Sequence, residues 1–242
     1  MIPKSQLKYI QSLGQKKHRD DHHVFIAEGP KLVAEFLQYH PSQIQTIFAT
    51  ESWMKDRSSL YPAIDFVVVS DKELERISQL VTPHDVLAVC RQFEIREPVV
   101  QGKLTLVLDE INDPGNMGTI IRIADWFSIS QVICSLGCVD LYNPKTVQAS
   151  MGSIARVSIY YTELVQWVKQ QQIPVYAAII GGNDVRAMKK PEQGLIVIGN
   201  ESRGIRQEIL QRADEKISIP GKGGAESLNA AVATGIILSF LT

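Results

Sequence analysis

The sequence predicts an α/β protein in which a small alternating α/β domain precedes a larger, mostly parallel sheet with helices on both faces. Short, strongly apolar runs such as LTLVL (Leu104 to Leu108) and LIVIG (Leu195 to Gly199) alternate with segments of helical period. Strands that are apolar throughout belong to parallel sheets covered on both sides. Of the 242 residues, 45% are hydrophobic and 21% charged, which supplies a core and excludes a disordered chain. The 25 Lys+Arg against 26 Asp+Glu give a formal net charge of −1, so no global basic field announces a nucleic-acid partner. The longest apolar run, Ala230 to Leu241, falls short of the roughly 20 residues that span a bilayer. MIPKSQLKYIQSL at the start has no apolar leader region, and a cytoplasmic protein is expected. Cys90, Cys134 and Cys138 form no C-x-x-C pair, which argues against a disulfide framework or a zinc site.

In chain order, Pro3 to Lys17 carries Leu7, Ile10 and Leu13 at helical spacing. HRDDHH (His18 to His23) has metal-ligand residue types but is expected to be a solvated loop. VFIAEG (Val24 to Gly29) is a strand, and Pro30 opens a helix to about Tyr39. Strands follow at Thr46 to Thr50 and Phe66 to Ser70. Ser70 and Glu73 then form a capping box for a helix across Leu74 and Ile77, and Val86 to Phe93 closes the domain. The first domain is thus 1–93, with a linker at 94–103 where Pro98 and Gly102 break the pattern, and the second is 104–242. Its elements are a strand at Leu104 to Leu108, a helix at Met117 to Phe127, a strand at Gln131 to Ser135 and a helix near Pro144. A strand at Arg156 to Tyr160, a helix at Thr162 to Gln171 and strands at Val175 to Ile179 and Leu195 to Gly199 come next. A helix after Gly204, a strand at Lys216 to Pro220 and a final helix at Ser227 to Leu241 complete it. That last helix is apolar nearly all round, so it is central or part of a dimer contact; Trp126 and Phe127 fit the core or a dimer face.

Ligands of such sheets bind outside the carboxyl ends of the strands. Three of those ends carry glycines with polar side chains: Asp109 to Asp125, Gly199 to Gly204 and Pro220 to Gly235. None fits a Walker loop, and no G-x-G-x-x-G opens a helix after a first strand, which counts against a nucleotide-dependent oxidoreductase.

NDPGNMGTIIRIAD, VIGNESRG and IPGKGGAESLNAAVATGI, in this order, resemble the three motifs of the SpoU (TrmH-type) RNA ribose 2′-O-methyltransferases, and FIAEGPKLVAEFL resembles the substrate-binding domain that many of them carry. The resemblance covers nearly the whole chain. It implies a trefoil knot in the carboxyl-terminal half, a homodimer through that half, S-adenosylmethionine as cofactor and a structured rRNA or tRNA as substrate. Carried over residue by residue, it implies an active site of Asn116, Arg122, Glu201, Ser227 and Asn229, with Gly118 in the first motif. It implies cofactor contacts from Ile198, Gly199, Ile219, Leu228 and Asn229, and no metal. Gly221 stands where the family has Met, and Ser202 where glycine is frequent. The alternative is a non-catalytic RNA-binding or ribosome-assembly protein on the same scaffold.

Methyl transfer from a sulfonium to a hydroxyl neutralises charge, so a water-poor cleft that aligns the reactants is expected. A guanidinium holds its proton, so Arg122 is expected to hold a phosphate and to stabilise a developing alkoxide before acting as a base. Glu201 has two readings, one catalytic and one as an acceptor holding its own loop. Lys4, Lys8, Lys16, Lys17 and Arg19 make the first segment locally basic; a solvated face is the default reading, with contact to an RNA phosphate as the alternative.

Overall fold

The computed structural model describes residues 2–55 and 57–242, so that Met1 and Asp56 lie outside it. The chain builds two compact units, Met1–Glu94 with Asp140–Ala155, and Ile95–Val139 with Arg156–Thr242. The first passage between them falls within the stretch read as a linker. Residues 140–155, expected in the second domain, pack instead with the first unit.

The first unit opens with α1 (Lys4–Ser12) and α2 (Lys16–His22), followed by β1 (Val24–Glu28) and α3 (Pro30–Tyr39). β2 (Ile44–Ala49), α4 (Glu51–Met54), β3 (Asp65–Val68), α5 (Asp71–Ile77) and β4 (Val86–Arg91) complete its amino-terminal part. Its sheet runs β1-β4-β2-β3, with β4 antiparallel to both neighbours and β2 parallel to β3. Gly29, at φ 96°, makes the turn into α3, whose Leu32, Val33, Phe36 and Leu37 are buried. The capping box of Ser70 and Glu73 forms as expected.

HRDDHH is not a loop. It lies in α2, which ends at His23 in the left-handed conformation. Lys16 pairs with Asp20 one turn on, and Arg19 turns inward to Asp140, with Nη2 2.6 Å from the carboxylate. That partner lies far along the sequence, so the local charge pattern gave no hint that this helix would be held.

The second unit starts with β5 (Leu104–Asp109), α6 (Pro114–Trp126) and β6 (Gln131–Ser135). The chain then sends α7 (Pro144–Ala149) to the first unit and returns. There Tyr142 stacks on Phe25 at 4.7 Å between ring centroids, and its hydroxyl accepts the Phe93 N–H. Next come β7 (Ser158–Thr162), α8 (Leu164–Gln170), β8 (Val175–Asp184), β9 (Gly194–Gly199), α9 (Gln207–Arg212), β10 (Glu215–Ser218) and α10 (Ala230–Leu241). Six strands pair in the order β10-β8-β9-β5-β6-β7, every pair parallel. Val107, Ile133, Leu164, Trp167, Val168 and Val197 belong to one continuous core cluster.

Strand order places the site. From β5 the chain moves outward to β6 and β7, whereas from β9 it moves the other way to β10. The carboxyl ends of β5 and β9 therefore flank the point where the winding reverses, where such sheets form their ligand crevice. Asp109 and Gly199 are partners in register there.

Two boundaries differ from expectation for one reason. α6 starts at Pro114, because Asp113 caps it and proline suits its first turn. α10 starts at Ala230, because Asn229 is its cap, and this leaves Ser227 and Leu228 outside the helix.

Candidate active site

Two helix starts and one turn meet through side-chain amides. The Asn229 Oδ1 accepts the N–H groups of Ala231 and Val232 at 3.0 and 3.3 Å, which caps α10. Its Nδ2 donates to the Asn116 Oδ1 at 2.9 Å. The Asn116 amide in turn donates to the Glu201 carboxylate. The backbone N–H of Asn116 is held at 2.7 Å by Asp113, the α6 cap. Helix N–H groups can only donate and a carboxylate can only accept, so both amides are oriented by the two ends of the chain. The positive pole of α10 thus connects, through two oriented amides, to one anion.

The loop bearing Glu201 is tightly built. Asn200 and Gly204 exchange backbone hydrogen bonds of 3.1 and 2.9 Å. The Asn200 side chain accepts from Ser202 and Arg203 and donates to the Glu110 carbonyl at 2.8 Å. Gly204 sits at φ +68°, and a Cβ on Gly199 would run into the backbone of Gly204 and Ile205. Only glycine fits position 199.

Arg122 is not in the amide chain. It follows Asn116 by six residues, which turns it about 120° away around the helix. Its side chain is exposed, on the stripe that carries Thr119 and Trp126, and it makes no hydrogen bond or ion pair among the described residues. Ser227 is also exposed. Gly118 faces inward on α6, Ile198 is buried, Ile219 is half-buried, and Leu228 is 47% exposed. Residues 221–229 are all exposed, and Gly221, Gly223 and Gly224 have open space around them. The water-poor cleft expected from the chemistry is therefore not closed by this chain alone. Two open clefts of about 650 and 390 Å³ lie along β8 and include none of these residues.

Asp109 and Arg206 were not singled out from the sequence. Asp109 ends β5 fully buried, and its carboxylate accepts the Arg206 backbone N–H at 2.9 Å and Nε at 2.8 Å. Nη2 lies 2.7 Å from the same carboxylate without hydrogen-bond alignment, so the second guanidinium contact is one of charge. An acid closing an apolar strand just before a glycine-rich loop was the available signal.

The profile of the SpoU rRNA methylase family matches residues 103–239, more than half of the chain. The chain belongs to that family. Residues 4–88 of this SpoU-family protein match an MRM3-like substrate binding domain. It is 30% identical over 240 residues to the 23S rRNA (guanosine(2553)-2′-O)-methyltransferase of Bacillus subtilis, which covers 98% of this chain and 95% of that one. A TrmH-family protein from Porphyromonas gingivalis superposes with a TM-score of 0.89 at 36% identity, covering 100% of this chain and 98% of the other. An AdoMet-bound rRNA methyltransferase from Sinorhizobium meliloti superposes with a TM-score of 0.86 at 30% identity, covering 100% and 95%. The α/β architecture with its parallel sheet is thus the fold of SpoU methyltransferases.

Proposed function

We propose that this chain is an S-adenosylmethionine-dependent methyltransferase that modifies a ribose 2′-hydroxyl in structured RNA, an rRNA or a tRNA. The observation that supports it most is the hydrogen-bonded chain joining the cap of α10 (Asn229), the first turn of α6 (Asn116) and the turn after β9 (Glu201) at the reversal of strand order. The residues suit the cofactor. The Glu201 carboxylate, joined to the amide chain, is an anion that would favour a nearby sulfonium cation, and the open space around Gly221, Gly223 and Gly224 leaves the third loop free to lie against a ligand. When bound, S-adenosylmethionine supplies the electrophilic methyl group.

The backbone at Gly199 and Ile219, with the apolar side chains of Ile198 and Leu228, takes the cofactor. Asn116 and Asn229, oriented as described, address the acceptor ribose together with Ser227. Arg122 holds a substrate phosphate and stabilises charge developing on the 2′-oxygen. The exposed stripe of Arg122 and Trp126, which is 84% exposed, and the half-exposed Val232 on α10 make a face that a second copy would cover. In this reading the homodimer excludes water from the site, the first unit holds the RNA, the carboxyl-terminal half carries the family's trefoil knot, and the protein acts in the cytoplasm.

The test is transfer of a labelled methyl group from S-adenosylmethionine to total RNA, followed by nucleoside analysis. A 2′-O-methylated nucleoside is expected, with transfer lost in Arg122→Ala while the cofactor still binds. Label found on a base, or near-normal turnover in Arg122→Ala, would overturn the acceptor or the role of Arg122 respectively. Light scattering on the same sample is expected to give the mass of two chains.

A further inference from the structure

The loop from Gly199 to Arg206 is held at both ends by one residue. Asp109 pairs in register with Gly199 through the β5–β9 ladder, which fixes the start of the loop. Its buried carboxylate grips the backbone N–H and Nε of Arg206, which fixes the end. Glu110 adds an outer contact, a partly exposed ion pair with Arg203 at 3.1 Å. The two acids are not equivalent. An exposed pair contributes little, whereas a carboxylate with no solvent access depends on its partner.

We propose that Asp109 and Arg206 are positioning residues for the cofactor: their pair sets the shape of the loop whose backbone at Gly199 receives it. The inference rests on the methyltransferase reading above and goes beyond it by naming residues outside the three family motifs' polar set. Removing the charge at Asp109 leaves the guanidinium without its counter-ion and loosens the end of the loop. Gly199 then loses the close approach to Gly204 and Ile205 that defines its backbone direction. The effect belongs in cofactor affinity rather than in turnover of the loaded enzyme, because neither side chain belongs to the amide chain of the site.

The full chain is titrated calorimetrically with S-adenosylmethionine, with thermal unfolding and steady-state kinetics run on the same samples. Asp109→Asn and Arg206→Ala are expected to weaken binding by about tenfold or more. KM for RNA and kcat at saturating cofactor are expected to stay within about threefold. Arg206→Lys is expected to recover part of the affinity, because it restores the charge but not the Nε hydrogen bond. Arg203→Ala is expected to change the affinity by less than about twofold. Variants that melt earlier yet bind the cofactor as the parent does would show the pair to be merely structural and overturn the inference. If Asp109→Asn does not fold, the two Arg206 variants decide, since that side chain is one-third exposed. A parent chain that binds no S-adenosylmethionine overturns the methyltransferase reading itself, an outcome distinct from failure of the variants alone.

Discussion

Asn229 does two jobs with two ends of one amide, and substitution can separate them. Its oxygen caps α10 and its nitrogen holds Asn116. Asn229→Ala removes both, so stability should fall by about 1 kcal/mol, the usual loss for an N-cap of this kind. Asn229→Ser keeps a good capping oxygen and removes the donor, so its stability should stay within about 0.5 kcal/mol of the parent. The lost neutral hydrogen bond is worth about 1 kcal/mol, or about fivefold in rate if felt fully in the transition state. Once released, Asn116 also loses its orientation toward Glu201. A second link of that size brings the total to about thirtyfold. The assay is urea denaturation beside methyl transfer at saturating cofactor and RNA. Serine at 229 with parental turnover would refute the role of the amide chain, and serine as destabilising as alanine would refute the division of labour.

Other consequences are as direct. Asp140→Ala leaves Arg19 buried without its counter-ion and should destabilise the first unit by about 3 kcal/mol, the low end for such a loss, because Arg19 keeps its bonds to the Leu13 and Gly14 carbonyls. Amide exchange in β1 and β4 should accelerate, and the double change Arg19→Met with Asp140→Leu should restore most of the protection; unchanged exchange in Asp140→Ala would count against it. Glu73 is pulled down to about 2, first by the Ser70 N–H and then by that of Ile2. A carboxyl lowered on folding contributes stability that is present above its unfolded value and is lost as pH falls through about 2. Carboxyl NMR should show that midpoint, raised in part by Ser70→Ala, which spares the N–H but removes the hydroxyl; a titration near the ordinary carboxylate value in the parent would contradict it. Gly199→Ala should disrupt its loop, lowering the melting temperature and abolishing cofactor binding, and an alanine variant that binds normally would show that the backbone there has room.

Much of this was legible because it is local. The apolar strands LTLVL, QVICS and LIVIG, the capping box at Ser70 and the proline start of α3 are each specified within a few residues. The amides of Asn116 and Asn229 could be singled out as candidate site residues only through the three-motif resemblance, since one asparagine in a turn says little by itself. What stayed hidden was long-range. Arg19 meets Asp140 and Asp109 meets Arg206 across stretches that no periodicity spans. The helix at His18 to His22 read as a solvated loop because its one buried residue is charged, and only tertiary pairing makes that tolerable. Arg122 belongs to the same motif as Asn116, six residues on, and the resemblance groups the two in one site. Its angle around the helix puts it on another face.

The return of residues 140–155 to the first unit bears on how such proteins can be taken apart and recombined. The chain changes unit three times, so no single cut separates two self-sufficient pieces. A hybrid gene that grafted only the amino-terminal 94 residues onto another enzyme would carry Phe25 without the stacked ring of Tyr142 and Arg19 without its acid. Exchange of the first unit between relatives therefore has to move two discontinuous segments together, which favours gradual divergence of the whole chain over shuffling.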